Sequence, residues 1–295
     1  MKKTSILGLG AMGARMAARL LQHGYPVVVY NRTPERTAPL REQGADVAAT
    51  PREAAERADV VISMVRDDAA AQDVWLAEGT GAVHGLRPGA VAIESSTVTP
   101  AWARRLAAAV AARGASFLDA PVVGTRPHAE SGQLIYLAGG EGAVLDQVRP
   151  MLDVLGGAVH PVGPVGAGAV MKLAVNALFA VQAVALAELL AMLTASGLEP
   201  AAAVGVLNAL PTSSPAAARV ATRIVERAYA PNFPIHLVAK DLGYASSVAR
   251  EAGVGATVVE AALSAFEEAQ RRGYGGDDIV GVAQGYPIGA AHGAG

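Results

Sequence analysis

Short apolar runs alternate with amphipathic helical segments along the first half of the chain. Each run is only a few residues long, which predicts a buried strand, and most are followed by a segment with helical periodicity. The predicted strands lie at residues 4–9, 27–30, 59–64, 90–94, 116–118 and 134–138. Strands that alternate with helices predict an α/β domain with a Rossmann-like, doubly wound parallel sheet.

The pattern changes near residue 156. Glycines and prolines at residues 156–164 indicate a short connection, and no convincing strand follows it. Residues 166–196 predict one helix, ~45 Å long at 1.5 Å per residue, with Gly197 as its C-terminal cap. We therefore expect a Rossmann domain at residues 1–163 and an all-α domain for substrate binding and dimerisation at residues 164–295, joined by this interdomain helix.

The long helix is nearly all apolar, with few polar interruptions. The uncharged stretch between Lys172 and Glu188 has 15 residues, which is short of the ~20 that a membrane span needs. A helix that is apolar around its circumference must be covered on every side, so we expect a partner subunit to pack against it. This predicts a homodimer or homotetramer and no membrane segment.

Composition excludes several classes of protein. Of the 295 residues, 52% are hydrophobic and 17% are charged, which excludes a disordered chain. The formal net charge of −2 provides no excess of cations for a nucleic acid. The chain has no cysteine, so it has no disulfide and no thiolate, and we expect a cytoplasmic protein. We predict no metal site either, because the histidines lack metal-binding spacing; they are His23, His84, His128, His160, His236 and His292.

A glycine-rich loop directly follows the first predicted strand and opens a helix. Its residues are Gly8, Leu9, Gly10, Ala11, Met12 and Gly13. In this position the first glycine permits a tight turn, the second lets the backbone approach a diphosphate, and the third lets helix and strand pack closely. The loop predicts a dinucleotide site with the diphosphate at the helix N-terminus.

The second strand ends at Asn31, Arg32 and Thr33, where a site for NAD usually has an acidic residue. Asn31 can bond a hydroxyl or phosphate oxygen, and the guanidinium of Arg32 can hold a phosphate through two donors. We therefore expect NADP(H) to be preferred over NAD(H). If Arg32 is an ordinary solvated residue, the protein would accept both.

Four separated motifs occur in order along the chain: Gly-Leu-Gly-Ala-Met-Gly at 8–13, Asp-Ala-Pro-Val-Val-Gly at 119–124 with Gly132, an apolar segment at 166–176 that contains Lys172 and Asn176, and Lys-Asp-Leu at 240–242. Together they resemble the beta-hydroxyacid dehydrogenase family, which includes 3-hydroxyisobutyrate dehydrogenases and glyoxylate or succinic semialdehyde reductases and is similar in architecture to 6-phosphogluconate dehydrogenase.

The resemblance assigns roles to residues in each motif. It implies that Met64, Val65 and Thr97 line the nicotinamide side of the cofactor site. It also implies that Lys240 approaches the cofactor or substrate from the helical domain, and that Lys172 and Asn176 form the catalytic pair.

A lysine in an otherwise apolar helix suits acid–base chemistry. Desolvation opposes the charged form of Lys172 and should lower its pKa, so the amine can donate a proton during reduction and accept one during oxidation. Asn176 lies one turn later on the same helical face and can bond the substrate or hold the ammonium. The residues alone leave two other interpretations open: a lysine that reaches water, and an asparagine that satisfies a buried neighbour.

The resemblance places the substrate carboxylate at the turn formed by Val123, Gly124 and Thr125. Val123 stands where the family usually has serine, so one hydroxyl donor is missing. Backbone N–H groups of Gly124 and Thr125, the Thr125 hydroxyl or Arg126 could compensate. Loss of this hydrogen bond without compensation would cost about 1.5–3 kcal/mol.

These observations predict an NADP-dependent oxidoreductase that interconverts a small semialdehyde or 2-oxo acid and its hydroxy acid. The first alternative is an NADPH-dependent imine reductase on the same fold, although such enzymes generally lack the catalytic lysine. The second alternative is a protein that binds NADPH without catalysis.

Overall fold

The computed structural model describes residues 1–288, which form two compact units. The first unit is Met1–Lys172 and the second begins at Leu173, so the boundary falls inside one long helix. His292 and the end of the predicted all-α domain lie outside the described residues.

The first unit is built on a nine-stranded sheet. Its strands are β1 (Thr4–Leu7), β2 (Val27–Tyr30), β3 (Asp46–Val47), β4 (Val60–Ser63), β5 (Val91–Glu94), β6 (Ser116–Asp119), β7 (Val122–Val123), β8 (Leu134–Gly140) and β9 (Gly156–Gly163). Its helices are α1 (Gly13–Gln22), α2 (Ala38–Glu42), α3 (Pro51–Glu56), α4 (Asp68–Leu76), α5 (Pro100–Ala111), α6 (Arg126–Ser131) and α7 (Gly142–Leu155).

The strand order confirms the predicted doubly wound sheet. Strands follow the order β3-β2-β1-β4-β5-β6-β8-β7, and every pair from β3 to β6 is parallel. Strand β1 lies between β2 and β4. The chain therefore adds β2 and β3 on one side of β1 and then crosses to add β4, β5 and β6 on the other side. Such a switch point opens a crevice at the carboxyl ends of the two central strands, where ligands of this architecture bind.

Alternate residues of the central strands enter two separate cores. Ile6, Val29 and Ile62 belong to a cluster that includes α1 and α7 side chains. Their neighbours Leu7 and Val28 belong to a second cluster with side chains of α3, α4 and α5. The strands are therefore apolar on both faces, as expected for a parallel sheet with helices on each side.

The predicted connection at residues 156–164 is wrong, because Gly156–Gly163 forms β9. This strand runs parallel to β8 with two irregularities in register, and within residues 1–288 it pairs with β8 alone. Pro161 cannot donate to a ladder, but the open side of an edge strand requires no such bond. Glycine and proline therefore concealed a strand that is mostly not buried.

The second unit is helical, as predicted. It contains most of α8 (Ala167–Ala195), followed by α9 (Pro200–Ala209), α10 (Pro215–Val225), α11 (Ile235–Glu251) and α12 (Thr257–Arg271). Proline occupies the first turn of both α9 and α10, after the side-chain caps Glu199 and Ser214. Gly197, with a φ of 87°, follows the end of α8.

Helix α8 supplies small side chains to the core of the second unit. Ala180, Ala183 and Ala187 are fully buried and pack in one cluster with Phe266 and Leu242. Their spacing of three and four residues places them on one helical face. By length and mean hydropathy, which reaches 2.0, α8 could cross a membrane, but interior helices of soluble proteins meet the same criteria.

Candidate active site

The glycine loop connects β1 to α1 and contacts Met64, the residue after β4. Gly8 has a φ of 99°, and a Cβ there would collide with the carbonyl oxygen of Met64. A Cβ at Gly13 would collide with the carbonyl oxygen of Gly8. Only glycine fits at these two positions, since both contacts are to backbone atoms.

Gly10 differs from the other two glycines. A Cβ at Gly10 would meet nothing within 4 Å, so packing inside the protein does not require glycine there. Helix α1 also begins without a side-chain cap and without an acidic residue in its first turn. Open space beside uncapped N–H groups fits the diphosphate of a dinucleotide.

Asn31 holds the glycine loop in place. Its Oδ1 accepts a hydrogen bond from the Leu9 N–H at 2.8 Å, and its Nδ2 donates to the Thr33 carbonyl oxygen at 2.9 Å. The side chain predicted to meet the coenzyme therefore also links the end of β2 to the loop after β1.

Two exposed arginines follow β2. Within residues 1–288, the side chains of Arg32 and Arg36 make no hydrogen bond or ion pair. Both guanidinium groups are consequently available to an anion in solution at the end of this strand.

The ends of β4 and β5 are held together by buried polar groups. Ser96 Oγ accepts from the Val65 N–H at 2.8 Å, while the carboxyl group of Glu94 accepts from the Ser96 N–H at 3.0 Å and from Trp75 Nε1 at 3.0 Å. Glu94 is fully buried, and burial raises its pKa. These contacts fix the backbone beside Val65 and Thr97, both predicted to line the nicotinamide.

Lys172 lies near the start of α8, three residues after Ala169. Its exposed fraction is 8%, so the residue is buried, as expected for a lysine in an apolar helix. The carboxyl group of Asp119, the last residue of β6, accepts from the N–H groups of Gly166 and Ala169 at 2.9 Å each. Burial raises the pKa of Asp119 to about 6, although these two hydrogen bonds favour the carboxylate.

A polar network surrounds Asn176 in the second unit. Asn176 Nδ2 donates to Asp241 Oδ2 at 2.6 Å, and the other carboxylate oxygen of Asp241 lies 2.9 Å from Lys240 Nζ. Lys240 Nζ also lies 4.9 Å from the centre of the Tyr244 ring. Asn176 is 8% exposed and Asp241 is 3% exposed, so these contacts are well shielded from water.

The predicted carboxylate turn follows β7. Its glycine, Gly124, has a φ of 145°, and the N–H of Thr125 donates to His128 Nδ1 at 3.1 Å. The Thr125 hydroxyl contacts the same nitrogen at 2.8 Å. His128 thus engages two of the donors that could replace the missing serine hydroxyl.

Arg126 is the remaining cation at this turn. Its Nε is buried and has no hydrogen-bond partner among the residues that the structure describes. A buried N–H without a partner is costly, so a ligand acceptor here would be favourable.

Sequence reasoning missed the roles of Glu94 and Asp119, and for Asp241, which the resemblance implies to be structural, it missed the bonding partner. A signal exists for the first two, because each is an acidic residue at the last position of an apolar strand. Asp241 gives no such signal, since its contact with Asn176 joins positions 65 residues apart. Across residues 1–288 no group of three or more acidic or histidine side chains has the arrangement of a metal site.

Comparison with sequence families agrees with this geometry. Residues 3–163 match the NAD binding domain of 6-phosphogluconate dehydrogenase. Residues 166–286 match the domain described as NAD-binding of NADP-dependent 3-hydroxyisobutyrate dehydrogenase. The fold and the glycine loop thus define an oxidoreductase domain for a nicotinamide dinucleotide.

Curated relatives extend over nearly the whole chain. An NAD-dependent L-serine dehydrogenase of Pseudomonas aeruginosa is 33% identical and covers 95% of this chain and 96% of its own. Glyoxylate/succinic semialdehyde reductase 1 of Arabidopsis thaliana is 33% identical, with 96% and 97% covered. The chain belongs to the beta-hydroxyacid dehydrogenase family.

Solved structures share the fold. The 3-hydroxyisobutyrate dehydrogenase of Mycobacterium tuberculosis, solved with L-serine, has a TM-score of 0.87 at 27% identity and covers 97% of this chain and 99% of its own. A reductive aminase of Aspergillus terreus, solved with NADPH and ethyl levulinate, has a TM-score of 0.63 at 27% identity, with 96% and 99% covered. The dehydrogenase is thus the better structural match of these two.

The contrast between Gly13 and Gly10 gives a test of the dinucleotide loop. Gly13→Ala should destabilise the protein by ~1–3 kcal/mol, because the new methyl group collides with backbone. Gly10→Ala should change stability by less than ~0.5 kcal/mol and weaken coenzyme binding by about tenfold or more, because its methyl group enters the open space. Thermal unfolding and a fluorescence titration with the coenzyme measure both effects. Unchanged coenzyme affinity in Gly10→Ala would contradict this assignment of the open space.

Proposed function

We propose that this protein is an NADPH-dependent reductase of a small semialdehyde or 2-oxo acid, and that it also oxidises the corresponding hydroxy acid. The observation that carries the proposal is the burial of Lys172 on α8, within the segment that resembles the family's catalytic motif. The Arabidopsis semialdehyde reductase and the Pseudomonas serine dehydrogenase support this class of substrate.

The first unit supplies the coenzyme site. The N–H groups at the start of α1 and the backbone at Gly10 would hold the diphosphate, while Met64, Val65 and Thr97 would line the nicotinamide side. When bound, the coenzyme supplies hydride for reduction and accepts it during oxidation.

Lys172 moves the proton. During reduction its ammonium donates to the carbonyl oxygen as negative charge develops there, and during oxidation the neutral amine accepts the proton of the hydroxyl group. Burial of the side chain limits competition from water for this proton.

Asn176 and Lys240 would orient the substrate. Since Asp241 accepts from Asn176 Nδ2, the amide is held with its Oδ1 pointing away from that bond. Oδ1 can accept from a substrate hydroxyl. Asp241 also holds Lys240, so one carboxylate would fix both polar side chains of the second unit.

The charge around β2 supports the choice of NADPH. Arg32 and Arg36 are exposed cations, and Asn31 follows the strand at the position where NAD-specific sites usually have a carboxylate. We assign Arg32 to the 2′-phosphate and Arg36 to a supporting position. At the substrate turn, we assign Arg126 to the carboxylate of the substrate, because its buried Nε has no partner among the described residues.

Lys172→Met tests the proton donor, because it removes the amine and keeps most of the volume. We expect kcat to fall by roughly 100-fold to 10,000-fold and the Kd for NADPH to stay within about twofold. Lys2→Met is the matched control, since Lys2 precedes the amino-terminal end of β1, at the opposite edge of the sheet. A Lys172→Met enzyme with wild-type kcat would show that another group donates the proton.

A substrate panel separates the proposed function from its alternatives. With NADPH present, we expect glyoxylate or succinic semialdehyde to give a higher kcat/KM than cyclic imines. Imine reduction without aldehyde reduction would indicate an imine reductase. NADPH binding without turnover of any compound would indicate a non-catalytic protein.

Arg32→Asp tests the coenzyme preference. The new carboxylate repels a 2′-phosphate and can bond a ribose hydroxyl, so the ratio of kcat/KM for NADPH to that for NADH should fall by about tenfold or more. Arg41→Asp, on the exposed surface of α2, makes the same change in net charge as a control. If both variants keep the wild-type ratio, Arg32 does not contact the phosphate.

We propose a homodimer or homotetramer in which a second copy covers the exposed side of α8. Leu178 and Met192 are 64% and 55% exposed and lie on one helical stripe, because they are two heptads apart. Leu189 adds a third apolar side chain that is 44% exposed.

Light scattering at micromolar concentration should give a multiple of the chain mass of 29.8 kDa. The double variant Leu178→Glu, Met192→Glu should dissociate, because it buries two charges in the interface. Val258→Glu, at a 63% exposed position on α12, is the control and should not dissociate. A monomeric wild-type protein would contradict this assembly.

A further inference from the structure

The first turn of α8 is capped by a residue from a distant strand. Asp119 Oδ1 accepts from the Gly166 N–H and Oδ2 accepts from the Ala169 N–H, each at 2.9 Å. The residue before Ala167 is Gly166, whose φ is 95°, so the helix has no side-chain cap of its own at this position. The carboxyl group of Asp119 therefore satisfies two N–H groups that the helix itself leaves without partners.

Two glycines permit this contact. A Cβ at Gly168 would lie 2.5 Å from the carbonyl oxygens of both Asp119 and Leu137. A Cβ at Gly139 would collide with Asp119 Oδ1. The start of α8 is thus in direct contact with the backbone of β6 and β8, and it has little freedom to move while the carboxyl group holds it.

Lys172 follows Ala169 by three residues, which is ~4.5 Å along the helix axis. Asp119, Gly139, Gly166, Ala169 and Lys172 all belong to the first unit. A shift or fraying of the first turn would therefore change the direction of the Lys172 side chain. An error of ~1 Å in the position of a catalytic group can reduce a rate by about 100-fold.

We propose that Asp119 is a positioning residue for the reduction: by capping the N-terminus of α8, its carboxyl group fixes the turn that carries Lys172. This inference rests on the proposed function, since it takes Lys172 as the proton donor. Asp119 itself transfers no proton to the substrate and acts through the helix.

The charged groups around Asp119 define what a pH experiment reports. Its register partner on β5 is Glu94. The guanidinium of Arg104 on α5 lies close to Gly166: a Cβ built on that glycine would be 3.0 Å from Arg104 Nη1. On α8 the charged residue nearest along the chain is Lys172, three residues after Ala169, while Leu137 and Gly139 of β8 carry no charge.

Protonation of Asp119 weakens both cap bonds, because the protonated carboxyl group is a poorer acceptor. Its pKa is raised to about 6. Reduction uses the protonated form of Lys172, so the donor itself causes no loss of rate towards acid pH. A fall in kcat for reduction below about pH 6 would therefore indicate that protonation of Asp119 weakens the cap of α8.

The experiment compares Asp119→Asn and Asp119→Ala with the wild type in steady-state reduction of the preferred substrate of the panel. The amide keeps one acceptor, so kcat should fall by roughly tenfold in Asp119→Asn and by roughly 100-fold in Asp119→Ala. The KM for NADPH should stay within about twofold, because the glycine loop follows a different strand. The fall in kcat below about pH 6, which is the acid limb of the pH profile, should be absent from Asp119→Asn and present in Glu94→Gln.

A second readout is independent of turnover. Between pH values of about 4 and 6 the folded protein keeps a proton on Asp119 that the unfolded chain has released, since the pKa is raised from 3.8 to about 6. The free energy of unfolding contributed by this group thus decreases as pH rises through this window. We expect the difference in unfolding free energy between wild type and Asp119→Asn to decrease in the same window.

Thr50→Ala is the matched control, because it removes another helix cap of the first unit. Thr50 Oγ accepts from the Glu53 N–H at 3.1 Å at the start of α3. This variant should lower the Tm and leave both kcat and its pH profile unchanged.

The outcomes separate the two proposals. Wild-type kcat and a persistent acid limb in Asp119→Asn and Asp119→Ala would overturn the positioning role and leave the proposed function intact. An acid limb that disappears only in Glu94→Gln would overturn it as well. A wild-type protein without activity on the panel would overturn the proposed function. The positioning role depends on that function and would be overturned as well, even if the difference in unfolding free energy follows the expected pH dependence.

Discussion

The start of α8 depends on one buried carboxyl group. Helix α8 carries Lys172, but it begins after a glycine and lacks a side-chain cap of its own at that position. Asp119 supplies the cap from β6 and accepts two N–H hydrogen bonds. Gly139 and Gly168 let strand and helix approach closely enough for these bonds. The contact between strand and helix therefore fixes the turn that precedes Lys172, which is a buried residue near the start of the helix.

Buried acids recur along the carboxyl edge of the sheet. Glu94 and Asp119 are register partners on neighbouring strands, and each accepts backbone N–H groups near the strand ends. Burial raises the pKa of both groups. Exposed ion pairs, such as Arg52 with Glu56, contribute only ~0–1 kcal/mol each because water and salt screen them. The order of this edge thus depends more on shielded hydrogen bonds than on surface charge.

The side chains predicted to meet ligands also hold the protein backbone or one another. Asn31 joins two loops, and Asn176 donates to Asp241. Such contacts restrict rotamers before a ligand binds, so less conformational entropy is lost on binding. Other donors keep room for a ligand: α1 begins without a side-chain cap, the side chain of Arg32 is exposed, and the buried Nε of Arg126 has no partner among the described residues.

The sequence by itself determined the doubly wound sheet, the helical second half, the family and the burial of Lys172, because strand and helix periodicity and short motifs are local signals. It did not reveal β9, whose proline is tolerated because the strand pairs, among residues 1–288, with β8 alone. The sequence also did not show which groups bond to Asp119 and Asn176, since these contacts join positions 47 to 65 residues apart. Only the tertiary structure decides such pairs, because burial and hydrogen-bond geometry depend on which distant segments pack together.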